Sequence, residues 1–185
     1  MDGVDIVVPG GCIAGITGEN GAGKTTLLRV LLGDLKPDAG RVLFGGSRGY
    51  CPQVPVLNLS LTVAQHLLLF KTAYRLPSTD RAEGLMARLN FASCLGQEAG
   101  KLSGGTQQKL NLTLALMHDP DVVILDEPYQ GLDYESYQVF WELAAELRDC
   151  GRTVLVVTHF VPDATPFDLL FRLSGGRLHA EERSQ

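Results

Sequence analysis

The run Gly18-Glu19-Asn20-Gly21-Ala22-Gly23-Lys24-Thr25 constrains the fold of this chain more than any other feature. It matches the pattern G-x-x-x-x-G-K-[ST], and each part has a physical task. Glycines permit positive φ and let backbone N–H groups approach phosphate oxygens without an intervening Cβ. Lys24 brings a positive charge to β/γ-phosphates, and the Thr25 hydroxyl is a ligand for Mg²⁺. A helix beginning at the lysine points its N-terminus at the anion. The bare pattern occurs by chance in roughly one chain in a hundred of this length. Here an apolar stretch, Cys12–Thr17, precedes it, and a helical pattern, Lys24–Leu32, follows it and stops at Gly33. Strand, loop and helix therefore predict a nucleotide-phosphate cradle formed by Gly18, Asn20, Gly21, Ala22, Gly23, Lys24, Thr25 and Thr26.

The rest of the chain alternates short apolar runs with helical patterns, the mark of an α/β fold with a mainly parallel sheet. Further strands are expected at Arg41–Phe44, Val122–Leu125 and Thr153–Val157. A closing hairpin is expected over Leu169–Leu178, turning at Ser174-Gly175-Gly176. Helices are expected over Leu61–Tyr74, Arg81–Leu89, Gly104–His118 and Tyr134–Asp149. In the last of these, Val139, Phe140, Leu143, Ala144 and Leu147 face inward.

Four consecutive apolar residues, Val122–Leu125, end in Asp126-Glu127-Pro128. Ligands of open α/β sheets sit at the carboxyl ends of strands, where this acidic pair lies. Asp126 is suited to hold Mg²⁺ directly or through water. Glu127 is suited to orient and deprotonate an attacking water.

Leu102-Ser103-Gly104-Gly105-Thr106 opens a helix, with Ser103 as N-cap and two glycines baring backbone N–H groups. With the two preceding motifs, this segment makes the chain resemble an ATP-binding cassette (ABC) ATPase, the nucleotide-binding subunit of an ABC transporter. The order of motifs agrees along nearly the whole chain. The P-loop is followed by a glutamine, Gln53 in Tyr50-Cys51-Pro52-Gln53, then by the signature 102–106 and the strand with its acidic pair at 122–127. Gly131-Leu132-Asp133 and a histidine, His159 in Thr158-His159, complete the set.

The resemblance implies a P-loop NTPase fold with a helical lobe and a small, trimmed antiparallel β-subdomain. The chain would be a single domain, 1–185, with a RecA-like core at 1–54 and 119–185. The lobe would take in about 55–118. The resemblance also implies ATP and Mg²⁺ as ligands, Gln53 reaching the metal and the water, and His159 contacting the γ-phosphate. Ser103, Gly104 and Gly105 would close on ATP held by a second cassette in a head-to-tail dimer, with Asp133 at that interface. The partner implied is a membrane permease on a separate chain, which places the protein on the cytoplasmic face of the membrane. A compact cassette leans towards export. The apolar residues Val54, Val56, Leu57, Leu59 and Leu61 are open to two readings, a permease-docking surface or the core of the lobe. Thr106 stands where the family commonly has glutamine. The aromatic that the family places on adenine has no counterpart before Phe44.

Composition narrows the alternatives. A net charge of −5 speaks against a nucleic-acid binder, which usually carries a basic face. The longest stretch without Asp, Glu, Lys or Arg, Gly49–Phe70, contains two prolines and several polar residues, unlike a membrane span. Met1–Gly11 lacks the basic start of a signal peptide. The four cysteines are dispersed and read as reduced thiols. A soluble clamp acting in repair or translation is the competing function. The 50 positions between Gln53 and Ser103, interrupted by Pro77, leave no room for the long coiled coil of a repair clamp. A binding module without turnover is the third reading, opposed by Lys24, Asp126, Glu127 and His159 together.

Overall fold

The computed structural model describes residues 2–160 and 167–181. Six strands form one sheet: β1 (Ile13–Thr17), β2 (Arg48–Cys51), β3 (Val122–Asp126), β4 (Thr153–Thr158), β5 (Leu169–Ser174) and β6 (Arg177–Glu181). Their order is β2-β3-β4-β1-β5-β6. All neighbours run parallel except β5 and β6, which form the expected hairpin. The two central parallel strands carry continuous apolar runs: Val154–Val157 and Ile13–Ile16 lie buried, as expected of strands covered on both faces.

Five α-helices cover the sheet: α1 (Lys24–Leu32), α2 (Val63–Tyr74), α3 (Asp80–Arg88), α4 (Gly104–Leu116) and α5 (Tyr134–Asp149). Local chemistry sets their ends. Gly33 takes the left-handed C-cap of α1 at φ 87°, where a Cβ is costly. Thr62 and Gln65 form a reciprocal capping box at α2. Ser103 caps α4 and Asp133 caps α5 through side-chain oxygens. On α5, Phe140, Leu143, Ala144 and Leu147 are buried as the periodicity requires, and Trp141 joins them. Val139 is only half-buried.

One apolar cluster joins α2, α3, α4 and α5 to one side of the sheet through residues such as Leu67, Met86, Leu110, Val123 and Phe140. A second, on the opposite side, gathers Leu27, Leu28 and Leu31 of α1 against Ala14, Ile16, Ile124 and Val157. From Gln108 to Leu116, every residue of α4 is buried.

Three expectations fail. Arg41–Phe44 is not a strand. Val42 and Phe44 do turn inward beside Val4, Ile6 and Val8, while Leu43 is exposed. The apolar alternation thus marks a covering face, but no neighbouring backbone supplies a ladder, and no antiparallel β-subdomain is built among the described residues. Conversely Arg48–Cys51, where no strand is expected, is the edge strand β2, paired with Val122–Leu125. Gly49 is required there, because a Cβ would run into the carbonyl oxygen of Ala115 on α4. Helix α4 also stops at Leu116 rather than His118. The Asp119 N–H turns back to the Leu116 carbonyl, and Asp119 itself is left-handed at φ 52°.

Candidate active site

The parallel register brings the predicted residues to one edge. Thr17 of β1 lies opposite Thr158 of β4, and Asp126 of β3 lies opposite Val157. Gly18, Asp126, Glu127 and His159 therefore leave three adjacent strands at the same carboxyl end. Strands are about 4.8 Å apart, so the P-loop and the acidic pair flank β4 at a separation of about 10 Å.

In the loop itself, Gly21 and Gly23 have φ 83° and 105°, values open to glycine. A Cβ on Gly18 would stand 2.6 Å from the Leu173 carbonyl oxygen of β5, so the loop is seated directly on the neighbouring strand. The Lys24 ammonium donates to the carbonyls of Gly18 and Glu19 at 2.6 and 3.1 Å. It is held in the mouth of the loop by contacts that a phosphate can replace.

Glu127 is the most constrained side chain of the site. It is 5% exposed and has φ 47°, a left-handed conformation that costs a non-glycine residue roughly 1–2 kcal/mol. Such outliers persist where surrounding contacts enforce them, and here they are visible. The Glu127 N–H donates to the Val157 carbonyl at 2.9 Å. Its Oε1 accepts from the His159 backbone N–H at 2.7 Å and pairs with His159 Nδ1 at 2.6 Å. Its Oε2 accepts from the Thr158 hydroxyl at 2.9 Å. The His159 ring itself is half-exposed. Asp126 is half-buried; burial, and then the charge of Glu127, push its carboxyl up to about 6, while Lys24 opposes the shift.

Gln53 follows β2 and donates from Nε2 to Gln130 Oε1 at 3.0 Å. It stands at the same sheet edge, joined to the loop after β3. Ser103 accepts from the Thr106 N–H at 3.2 Å and shares a hydroxyl contact with Thr106 at 2.9 Å. Gly105 lies so close to the following loop that a Cβ would approach the Gly131 carbonyl oxygen to 2.5 Å. Asp133 accepts from the Ser136 N–H at 2.8 Å and from Lys109 Nζ at 2.9 Å. The Ser136 hydrogen bond, followed by the Lys109 contact, holds its carboxyl well below the usual range. The structure thus gives Asp133 a capping and ion-pairing task within its own chain.

Sequence reasoning missed the polar residues that fasten α4 beneath the site. Gln108 Nε2 donates to the Pro128 carbonyl at 3.2 Å, and Asn111 Nδ2 to the Pro52 carbonyl at 2.7 Å. Buried polar groups on a helix that faces a sheet are the signal that identifies them. Thr158 and Tyr129 were likewise passed over, because the bond from Thr158 to Glu127 and that from Tyr129 to Thr158 are visible only after β3 and β4 are paired.

These features define a P-loop nucleotide-binding α/β protein with a paired-carboxylate site at the end of its sheet. The family model described as "ABC transporter" matches residues 1–130, and the chain belongs to that family. It is 38% identical over 198 residues to Nod factor export ATP-binding protein I of Burkholderia orbicola, covering 98% of this chain and 65% of that protein. It is 32% identical over 194 residues to ABC transporter G family member 20 of Dictyostelium discoideum, covering 96% of this chain and 26% of that protein. The chain therefore spans less than two-thirds of either relative. A solved structure of an ATP-binding subunit of an ABC transporter superposes with a TM-score of 0.89 at 29% identity, covering 95% of this chain and 80% of that one. A nucleotide-free cassette from an ABC transporter gives 0.82 at 27% identity over the whole chain and 85% of its own length. The expected α/β cassette fold is borne out.

Proposed function

We propose that this chain binds ATP with Mg²⁺, hydrolyses it, and powers movement of a substrate through a separate membrane permease. The observation that carries the reading is Glu127: a buried carboxylate forced into a left-handed backbone, hydrogen-bonded by His159, at the sheet edge that also carries the P-loop. In this reading the P-loop N–H groups and Lys24 hold the β- and γ-phosphates. An attacking water gives its proton to Glu127. Its oxygen bonds to the γ-phosphorus as the bond to the bridging oxygen of ADP breaks, and His159 steadies the phosphoryl oxygens.

The residues fit a magnesium ion. Among the described residues no cluster of three or more His, Cys, Asp or Glu side chains could cage a metal. Magnesium is typically held by one or two carboxylates together with substrate phosphates and waters. Thr25 and Asp126, with Gln53 nearby, are such a partial set. When bound, the ion would neutralise charge between the β- and γ-phosphates.

Further parts of the reading concern partners. Helices α2–α4 would form the lobe at about 55–118. Ser103, Gly104 and Gly105 would complete the ATP site of a second cassette head-to-tail. Val54, Val56 and Leu59 are 74%, 82% and 57% exposed, and Leu57 packs against the core. The three exposed residues, with Leu68 and Leu69 of α2 also open, favour a permease-docking surface over a lobe core. No helix among the described residues is long and apolar enough to cross a membrane, which agrees with a peripheral place on a separate permease. The name of the Burkholderia orbicola relative adds export. The deciding experiment is Glu127→Gln: the variant should retain bound ATP, lose phosphate release and accumulate as a dimer. Unchanged phosphate release would overturn the assignment.

A further inference from the structure

A carboxylate offers about four lone-pair sites, and three of those on Glu127 are taken. Oε1 faces two donors from His159, and Oε2 faces the Thr158 hydroxyl. The site left for water is therefore the second one on Oε2, and its direction depends on where Thr158 sends its single proton. That hydroxyl has two acceptors within reach, Glu127 Oε2 at 2.9 Å and the Phe160 carbonyl at 3.0 Å. The phenol of Tyr129 lies against this hydroxyl and against the same carbonyl, 2.8 Å from Thr158 Oγ1 and 3.0 Å from the Phe160 carbonyl. Tyr129 is itself held by rings: Tyr137, Phe140 and Trp141 lie 5.6–6.0 Å away between centroids. Burial pushes its phenol up to about 12, so it stays a donor.

We propose that Tyr129 is a positioning residue for the hydrolytic carboxylate, acting through the Thr158 hydroxyl. By giving its one proton to Thr158 Oγ1 while standing against the Phe160 carbonyl, the phenol leaves Glu127 as the best acceptor for the Thr158 proton. A directed chain results, Tyr129 to Thr158 to Glu127 Oε2, and such chains polarise and strengthen one another. Without the phenol, the threonine proton divides between the carboxylate and the Phe160 carbonyl, and the lone pair that meets water loses its aim. The proposal rests on the hydrolytic reading above and adds to it which oxygen of Glu127 faces the water and what orients it.

The test is steady-state phosphate release by the purified full chain, with melting temperature measured alongside. Tyr129→Phe should lower kcat about tenfold and leave KM for ATP within about twofold, since Tyr129 hydrogen-bonds to no P-loop residue. Thr158→Val should lower kcat at least as much, and Thr158→Ser, which keeps the hydroxyl, should recover most of that loss. Adding Tyr129→Phe to Thr158→Val should cost almost nothing further, because the relay is already cut. Full additivity in the double variant, or an unchanged kcat in Tyr129→Phe, overturns the proposal while leaving ATP hydrolysis intact. A wild-type chain that binds ATP and never turns it over overturns the hydrolytic reading itself. ATP binding by Tyr129→Phe, measured separately, distinguishes loss of aim from loss of fold.

Discussion

Removing Asp133 should destabilise the chain far more than removing the lysine it pairs with. The Lys109 side chain is 10% exposed and that of Asp133 is 58% exposed. Asp133 also caps α5 through the Ser136 N–H. In Asp133→Ala, loss of the cap costs about 1 kcal/mol. The stranded ammonium adds to this. Breaking a fully buried pair costs about 3–5 kcal/mol, but solvent reaches one side here and exposed pairs contribute under about 1 kcal/mol, so about 1–2 kcal/mol is the expected share. The total is about 2–3 kcal/mol. Asp133→Asn keeps the cap and should cost about 1 kcal/mol. Lys109→Met removes the buried charge and leaves a carboxylate that is solvated and still capping, so it should cost under about 0.5 kcal/mol.

Urea denaturation of the isolated chain at pH 7 measures the series. The folded-state carboxyl of Asp133 is depressed, so its contribution is present above the unfolded value near 3.9 and is lost as pH falls through the folded one. The gap between wild type and Asp133→Asn should therefore hold from pH 7 to 5 and narrow below about pH 4. Lys109→Met as damaging as Asp133→Ala would refute the reasoning.

Gly105→Ala should lower both melting temperature and ATP turnover, because its Cβ would meet the Gly131 carbonyl at 2.5 Å and neither backbone can yield without parting the signature turn from the loop. Thr62→Ala breaks the capping box of α2 and should cost about 1 kcal/mol in denaturant titration. Arg88→Ala removes a two-pronged contact to Glu146, but both side chains are solvent-accessible, so the loss should stay under about 1 kcal/mol. The thiol of Cys51 is buried, and burial pushes it far above the usual range. Alkylation at pH 8 followed by peptide mass mapping should label exposed Cys150 first and Cys51 only after denaturation.

How much of this was legible in the sequence depended on the range of the determining contact. Helices α1 and α5 begin and end where the sequence predicts, because their caps, Gly23, Gly33 and Asp133, lie within the same few residues. The P-loop and the Asp126-Glu127 pair were legible for the same reason. Strand β2 was not: Arg48-Gly49-Tyr50-Cys51 has little strand character of its own and becomes one by pairing with Val122–Leu125. Arg41–Phe44 fails in the opposite sense, with the right alternation and no partner. At the site, the Thr158 and Tyr129 contacts span 31 and 29 positions and follow from β3 and β4 being neighbours. Asp133 was singled out through the resemblance, for a dimer interface, but its bond to Lys109 depends on how α4 lies over the loop.

The sheet order also sets a timetable for synthesis. Among the described residues β1 has two neighbours, β4 and β5, and its first pairing is Ile13 with Val154. At roughly 5–20 residues per second, the ribosome needs about 7–28 s to travel between those two residues. Until then the strand that carries the phosphate loop has no ladder, and its apolar side chains have no sheet to enter. A nascent chain halted before Thr153 could contain every residue of the phosphate loop and still lack a framed nucleotide site. ATP bound as proposed above would thus stabilise the finished chain rather than guide the first part of its folding. The interval is the period in which β1 is open to capture by a chaperone or by another unfinished copy.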